Sequence, residues 1–391
     1  MKAVGIVAEY NPFHNGHLYH LQTTKNLTNL PVVAVMSGSF MQRGEPAFLD
    51  KWQRARLAVQ NGVDLVVELP TAFSLRSAEF FASGAVQIMQ AMGCVSHLSC
   101  GVETPSTNFI ELAKIVTGPE FQSTLQSFLA DGLTYAAAYE KALQNLANAA
   151  NLNTPNDILA LEYSKALQNT NITPIFIKRE QANYNDAEIT GSIASATAIR
   201  KSFLGNNPAA AQKAVPLNVW QALESNHSIN ETLLWNLLSY RLRLLTASQI
   251  AEQCQCTEGL ENLLKQAANC TSLDEAVTLC AKKRYPQTRI RRLFMQLLLG
   301  KERNYFEQVT PAYIRVLAFN DVGRQLLKEM KETCTLPIIT KLGKYPASGQ
   351  SQAFAQQIEL DLTASDILAL LQNTPSISGS DYLNSPYYLQ K

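Results

Sequence analysis

The chain holds little of what several kinds of chemistry require. Cysteine is sparse and odd in number, seven residues in 391 at positions 94, 100, 254, 256, 270, 280 and 334. Cys254 and Cys256 stand too close for a zinc knuckle and no histidine pair follows them, so reduced thiols in a cytoplasmic protein are expected. No apolar run reaches the ~18 residues that a membrane span needs. The first apolar run meets Glu9, Asn11 and Pro12 too soon to form a secretory leader. Neither sign of charge dominates, with 33 Lys and Arg against 32 Asp and Glu. A total near zero says nothing of partners, but it leaves room for local patches. There is no G-x-x-x-x-G-K-[ST] loop, no G-x-G-x-x-G fingerprint, no internal repeat and no low-complexity tract.

Apolar residues are not lacking. They make up 46 % of the chain, ample for a sizeable core. In the first half, short β-rich runs at Ala3–Ala8, Pro31–Met36, Asp64–Glu68, Val95–Cys100 and Thr173–Ile177 alternate with helical patterns. Those helical segments include Gly16–Asn26, Lys51–Asn61 and Ser77–Met92, and Phe109–Ala149 reads as a helical insertion. Unbroken runs such as VVAVM and LVVEL suit strands covered on both faces, and their alternation with helices predicts a Rossmann-like α/β domain around a parallel sheet over residues 1–205. GNNPAAAQ reads as a linker. Beyond it, residues 206–391 read as a mostly α-helical domain, with helices over segments including Gln287–Leu299, Pro311–Phe319 and Val322–Glu332, and Pro375–Lys391 as a surface tail.

Where the first strand ends, the chain reads EYNPFHNGH. In open α/β sheets ligands bind beyond the carboxyl ends of strands, and a helix N-terminus there attracts phosphate. His14 and His17 add N–H donors for a triphosphate, and Gly16 admits close backbone approach. With His20 they form H-x-x-H-x-x-H, but no thiolate or carboxylate set completes a zinc site, so no protein-held metal is expected.

NPFHNGH resembles the H-x-G-H element of the nucleotidylyltransferase superfamily, shared with class I aminoacyl-tRNA synthetases. SIASATAIR at 192–200 is similar to its second motif, a Ser/Thr-rich helix start followed by Arg that holds the β- and γ-phosphates. The stretches GIVAEYNPFHNGHLYHL, VVAVMSGSFMQRGEPAFLDKWQRA, VVELP, SHLSCGVET and PNDILALEY resemble, in order through residues 1–205, the bacterial tRNA(Met) cytidine acetate ligase family. The resemblance implies an enzyme that activates acetate with ATP as acetyl-adenylate and acetylates N4 of the wobble cytidine of elongator tRNA(Met). It implies His14, His17 and Arg200 as the charge-stabilising catalytic groups. ATP contacts are implied at Val7, Ala8, Glu9, Tyr10, Asn11, Pro12, Phe13, Asn15, Gly16, His20, Gly101, Asn156, Lys178 and Arg179, with Ser195 and Thr197 on the terminal phosphates and Mg²⁺ accompanying the triphosphate. Taken alone, Asn156 also fits a helix cap, and Lys178 and Arg179 a solvated strand end.

Two further stretches carry expectations. SGSFMQRGEPAF follows a strand and fits either a solvent loop or the wall of an acetate and cytidine pocket through Ser37, Gln42 and Arg43. Lys282, Lys283, Arg284, Arg289, Arg291 and Arg292 form the strongest local excess of one charge, with Tyr285 interleaved. Such a patch suits RNA phosphates and base stacking, or a solvated helix face. Two other activities share the motifs: transfer of AMP or CMP to a phosphorylated metabolite, and tRNA binding without catalysis.

Overall fold

The computed structural model describes all residues except 148–151, 153, 181–188, 190, 206, 226–228, 255, 257–258, 283, 303–304, 307–308, 346–349, 373–377 and 391. Five strands from the first half, β1 (Ala3–Ala8), β2 (Val32–Ser37), β3 (Leu65–Leu69), β4 (Val95–Val102) and β5 (Thr173–Lys178), pair in parallel in the order β5-β4-β1-β2-β3. The order reverses direction between β1 and β4. Their carboxyl ends therefore flank the crevice that doubly wound sheets use for ligands.

β2 shows why the sheet is central. Val33 and Val35 point into one apolar layer, Val32, Ala34 and Met36 into the other, and all five are inaccessible to solvent. The period of two along a run with no polar side is what a strand buried on both faces requires. The helices α1 (Asn15–Thr28) and α2 (Lys51–Gln60) cover one face, and the helix Ala78–Met92 covers the other.

Three expectations for the second half are overturned. The segment expected as a helix over Pro311–Phe319 contains β6 (Ile314–Asn320), antiparallel to β3. An apolar segment of this length, interrupted only by Arg315, fits a buried strand as well as a buried helix, and β-branched Ile314 and Val316 tip it toward strand. The expected surface tail supplies β8 (Tyr387–Leu389), which pairs with β6 beside β7 (Ile338–Ile339). The second half thus adds three strands to its helices. The expected linker holds a short helix, Pro208–Lys213, because Pro suits the first helical turn and Ala the rest. Elsewhere the periodicity is obeyed, and the helix Gln287–Leu299 has the expected bounds. Among the described residues no helix is long and apolar enough to cross a membrane.

Candidate active site

A cleft of about 420 Å³ opens at the β1/β4 crevice, a size suited to a nucleotide-sized ligand. Its floor is Val7–Asn11 from the end of β1, Cys100 and Gly101 from β4, and Ile177–Arg179 from β5; Phe81, Leu159 and Tyr163 form an apolar wall. Tyr10 leaves β1 with φ 46°, an unusual conformation for a non-glycine residue, and turns the chain toward α1.

His14 is the N-cap of α1, with its Nδ1 accepting from the backbone N–H of Gly16 at 3.1 Å and of His17 at 3.3 Å. The Nδ1 of His17 accepts in return from the backbone N–H of His14 at 3.2 Å. This is a capping box built from two imidazoles, whose rings stack with centroids 3.6 Å apart. The geometry fixes the tautomer. Each Nδ1 is an acceptor, so each neutral ring carries its proton on Nε2, and both rings line the cleft. Burial, with the Arg179 guanidinium adding, pushes His14 down to about 3 and His20 to about 4. His17 is lowered as well, first by burial and then by His14, Arg179 and His20. Near neutral pH all three are uncharged donors. The Nε2 of His20 lies 2.9 Å from Ser99 Oγ, which holds that ring against β4.

The loop after β2 is locked to this end of the sheet. Arg54 on α2 is almost wholly buried and donates to the carbonyls of Glu9, Ser37, Gly38 and Leu49. The Gln42 N–H donates to Glu9 Oε1 at 2.7 Å, and the Phe48 N–H to Asn11 Oδ1 at 2.7 Å. The other side of the Asn11 amide, Nδ2, is buried with no hydrogen-bond partner among the described residues.

The expected site residues divide into those the cleft gathers and those it does not. Val7, Ala8, Glu9, Tyr10, Asn11, His14, Gly16, His17, His20, Gly101, Asn156, Lys178, Arg179, Ser195, Gln42, Arg43 and Arg292 line it. Asn156 is not a helix cap; its Nδ2 donates to Glu103 Oε1 at 2.6 Å. Ser195 lines the cleft and also caps the helix Ala196–Leu204 through Ala198 N–H. Phe13 is buried in the apolar layer, and Asn15 ties α1 to the carbonyls of Ser192 and Lys213. Pro12 is buried and Ser37 has no solvent exposure; neither is among the lining residues.

Arg200 and Thr197 line a second cavity, of about 520 Å³, on the far side of the loop. Arg200 Nη1 donates to the carbonyl of Asn11 at 2.7 Å, and Nη2 to Glu45 Oε2 at 2.7 Å.

The basic patch is only partly gathered. Arg292 and Thr288 reach the cleft, and Arg292 Nη1 donates to the Gln42 carbonyl at 3.2 Å. Burial, with Arg289, Arg76 and Arg43 nearby, pushes Arg292 down to about 10. Arg289 stacks over Tyr285, while Arg291 is paired with Asp274. Lys282 pairs its backbone with Tyr285 across a turn that includes Arg284. Lys283 lies outside the described residues.

Sequence reasoning missed Phe81, Leu159 and Tyr163, whose periodicity marks only a buried helix face, and Arg54, which resembles any helical arginine. No group of three or more His, Cys, Asp or Glu able to hold a metal occurs among the described residues.

Comparison with known proteins gives one family. The model described as HIGH Nucleotidyl Transferase matches residues 1–381. A tRNA(Met) cytidine acetate ligase of Thermoanaerobacter sp. (strain X514) is 38 % identical, covering 98 % of this chain and 99 % of its own. One from Leuconostoc mesenteroides subsp. mesenteroides is 40 % identical over the whole of both chains. Among solved structures, Thermotoga maritima TmcAL without ligand superposes with a TM-score of 0.93 at 31 % identity, and the same protein bound with alpha-thio ATP with 0.90 at 30 %, each covering all of both chains.

Proposed function

We propose that this chain, which belongs to the HIGH nucleotidyl transferase family and within it to the tRNA(Met) cytidine acetate ligases, uses ATP to acetylate N4 of the wobble cytidine of elongator tRNA(Met). The observation that carries the reading is the imidazole capping box: two neutral Nε2–H donors lining a cleft at the N-terminus of α1, beside the unsatisfied Asn11 amide. The helix dipole and the two imidazole donors favour an anion there, while the first-turn backbone N–H groups of Gly16 and His17 are taken by the cap itself.

In the first step an acetate oxygen attacks the α-phosphorus, forming the mixed anhydride and breaking the bond to the bridging oxygen, so pyrophosphate leaves with that electron pair. Charge grows on the leaving phosphates, where preorganised donors act most strongly. His14 and His17 supply two of these, and Lys178, Arg179 and Ser195 stand around the same cleft. The carboxylates Glu9 and Glu180 at the cleft form no group of three donors among the described residues, so Mg²⁺ accompanying ATP would be held chiefly by the triphosphate and would supply charge neutralisation there. In the second step the cytidine N4 attacks the acetyl carbon, the bond from that carbon to the phosphate oxygen breaks so that AMP leaves with the electron pair, and N4 gives up one proton to solvent.

Gln42 and Arg43, at the cleft edge nearest the 287–299 helix, are assigned to acetate and the cytidine. Arg289 and Arg292, with Lys282 and Arg284, are assigned to RNA phosphates, and residues 206–391 as a whole to the RNA. The test is incubation with labelled acetate and ATP, with and without bulk tRNA. The proposal expects acetate-dependent pyrophosphate release and, with tRNA, label on RNA. Pyrophosphate release indifferent to acetate points instead to metabolite transfer, and absence of turnover to a binder.

A further inference from the structure

Arg200 belongs to the motif expected to hold the terminal phosphates, yet its guanidinium is already engaged. Nη1 is taken by the Asn11 carbonyl and Nη2 by Glu45 Oε2, each at 2.7 Å. Asn11 lines the nucleotide cleft, so the guanidinium stands one residue behind that wall, held toward the second cavity. A carboxylate and a phosphate are rival acceptors for the same donor fork. Glu45 holds one of the two Nη2 N–H groups, so a phosphate that binds the guanidinium through Nη2 shares that nitrogen with the carboxylate and is repelled by its charge.

Glu45 is not a loose surface acid. It closes a tight turn in which the Met41 N–H donates to the Glu45 carbonyl and the Gly44 N–H to the Met41 carbonyl. Gly44 sits at φ +77°, and a Cβ there would lie 2.4 Å from the Arg292 backbone nitrogen. The turn is thus seated directly on the 287–299 helix. It is also tied to the cleft through Gln42 N–H on Glu9, and to Arg292 through the Gln42 carbonyl. The carboxylate is therefore fixed in front of Arg200 by contacts on both sides of the loop.

We propose that Glu45 is a positioning residue that competes with the nucleotide's β- and γ-phosphates for Arg200. The triphosphate takes the guanidinium from Glu45 on arrival, and Glu45 takes it back as pyrophosphate leaves. The carboxylate weakens ground-state binding of the triphosphate and speeds departure of the product. The inference rests on the nucleotide reading above.

The experiment measures affinities for ATP, pyrophosphate and AMP by calorimetry in the full-length protein, its Glu45→Gln variant, Arg200→Gln and the double variant. The pair is partly exposed, with 17 % and 34 % of the side chains accessible, so the competition is modest. Glu45→Gln is expected to tighten ATP and pyrophosphate by about two- to fivefold, leave AMP unchanged, and have no effect in the Arg200→Gln background. Unchanged or weakened ATP binding overturns the proposal. So does an equal gain for AMP, or a gain that persists without Arg200. If the unaltered protein binds no ATP at all, the nucleotide reading itself fails, which is a distinct result. Melting curves of each variant separate a folding defect from these outcomes. Should Glu45→Gln not fold, Glu45→Asp, which keeps the charge but shortens the reach, is expected to tighten ATP in the same direction, and no change there also overturns the proposal.

Discussion

The carboxyl edge of the central sheet has two halves, and they treat charge in opposite ways. Beyond the carboxyl ends of β2 and β3 and the amino end of the antiparallel β6 the edge is filled. Lys51 contacts Glu68 at 2.8 Å and Asp381 at 2.6 Å, Arg315 contacts Asp381 at 3.2 Å, and Trp52 Nε1 donates to Asp381 at 2.9 Å. None of the four charged groups is more than 2 % exposed. Tyr313 donates to Asp361 next to them, and Asp361 also accepts from the Thr71 N–H. Beyond β1, β4 and β5 the edge is open, and His14, His17 and Asn11 line a cleft there. The same sheet edge thus carries a closed half of buried ion pairs, where Ser37 Oγ, Thr71 Oγ1 and Arg315 Nη1 still make no hydrogen bond among the described residues, and an open half that is a cleft. The buried pairs hold the C-terminal segment in place, whereas the cleft has room for a ligand.

The comparison breaks first at Lys51. Lys51→Met leaves the Glu68 and Asp381 carboxylates buried with only Arg315 between them. Removing one partner of a buried network costs about 3–5 kcal/mol. Urea unfolding is expected to show that loss, while the folded fraction keeps its nucleotide affinity. A loss below about 1 kcal/mol, the scale of a surface pair, would place the cluster among surface pairs and erase the distinction between the halves.

The open half should respond in the opposite sense. Replacing His14 and His17 together by Ala removes two donors from the cleft and the side-chain caps from α1. Adenylate formation is expected to fall by about 10²–10³-fold, and stability by only about 1 kcal/mol, the worth of a cap. Pyrophosphate exchange and thermal unfolding measure the two. A large stability loss with little change in exchange would make the imidazoles structural and leave the cleft without its chemistry.

How much of this was legible in the sequence follows the same division. The open half was written locally: His14, Gly16 and His17 fall within four residues of one another at a strand end, where core residues would otherwise stand. Their chemistry was therefore visible without knowing the fold. The closed half is assembled from residues remote in sequence, and Trp52 and Asp381 meet across 329 positions. Nothing in the pattern around Lys51 or Glu68 announces such a partner. The same holds for Arg200. Its motif was plain, but its engagement by Glu45, 155 positions away, depends on a turn that only the packed helix 287–299 fixes. The strand β6 was misread because local apolar pattern does not separate a buried strand from a buried helix.

The last difference between the halves is acid sensitivity, and it is the smallest in size. His20 has a folded pKa of about 4, lowered first by burial and then by Arg179, against an ordinary value of 6.5. As pH falls below about 6.5 the unfolded chain takes up a proton that the folded chain refuses, so stability drops. The contribution is constant above that range and continues to fall until the folded pKa is reached near 4. Between pH 7 and pH 5.5 one such histidine removes about 1 kcal/mol. Glutamine at position 20 keeps an amide that can face Ser99 but does not titrate. The stability of the His20→Gln variant, measured by urea unfolding across this window, is therefore expected to fall by about 1 kcal/mol less than that of the unaltered protein. Because each curve is compared with itself at pH 7, any fixed cost of the substitution drops out, and so do the carboxylates of the closed half, which titrate alike in both proteins. Parallel curves would mean that His20 accepts a proton in the folded state as readily as in the unfolded one, and that the open half is wetter and less restrictive than its geometry implies.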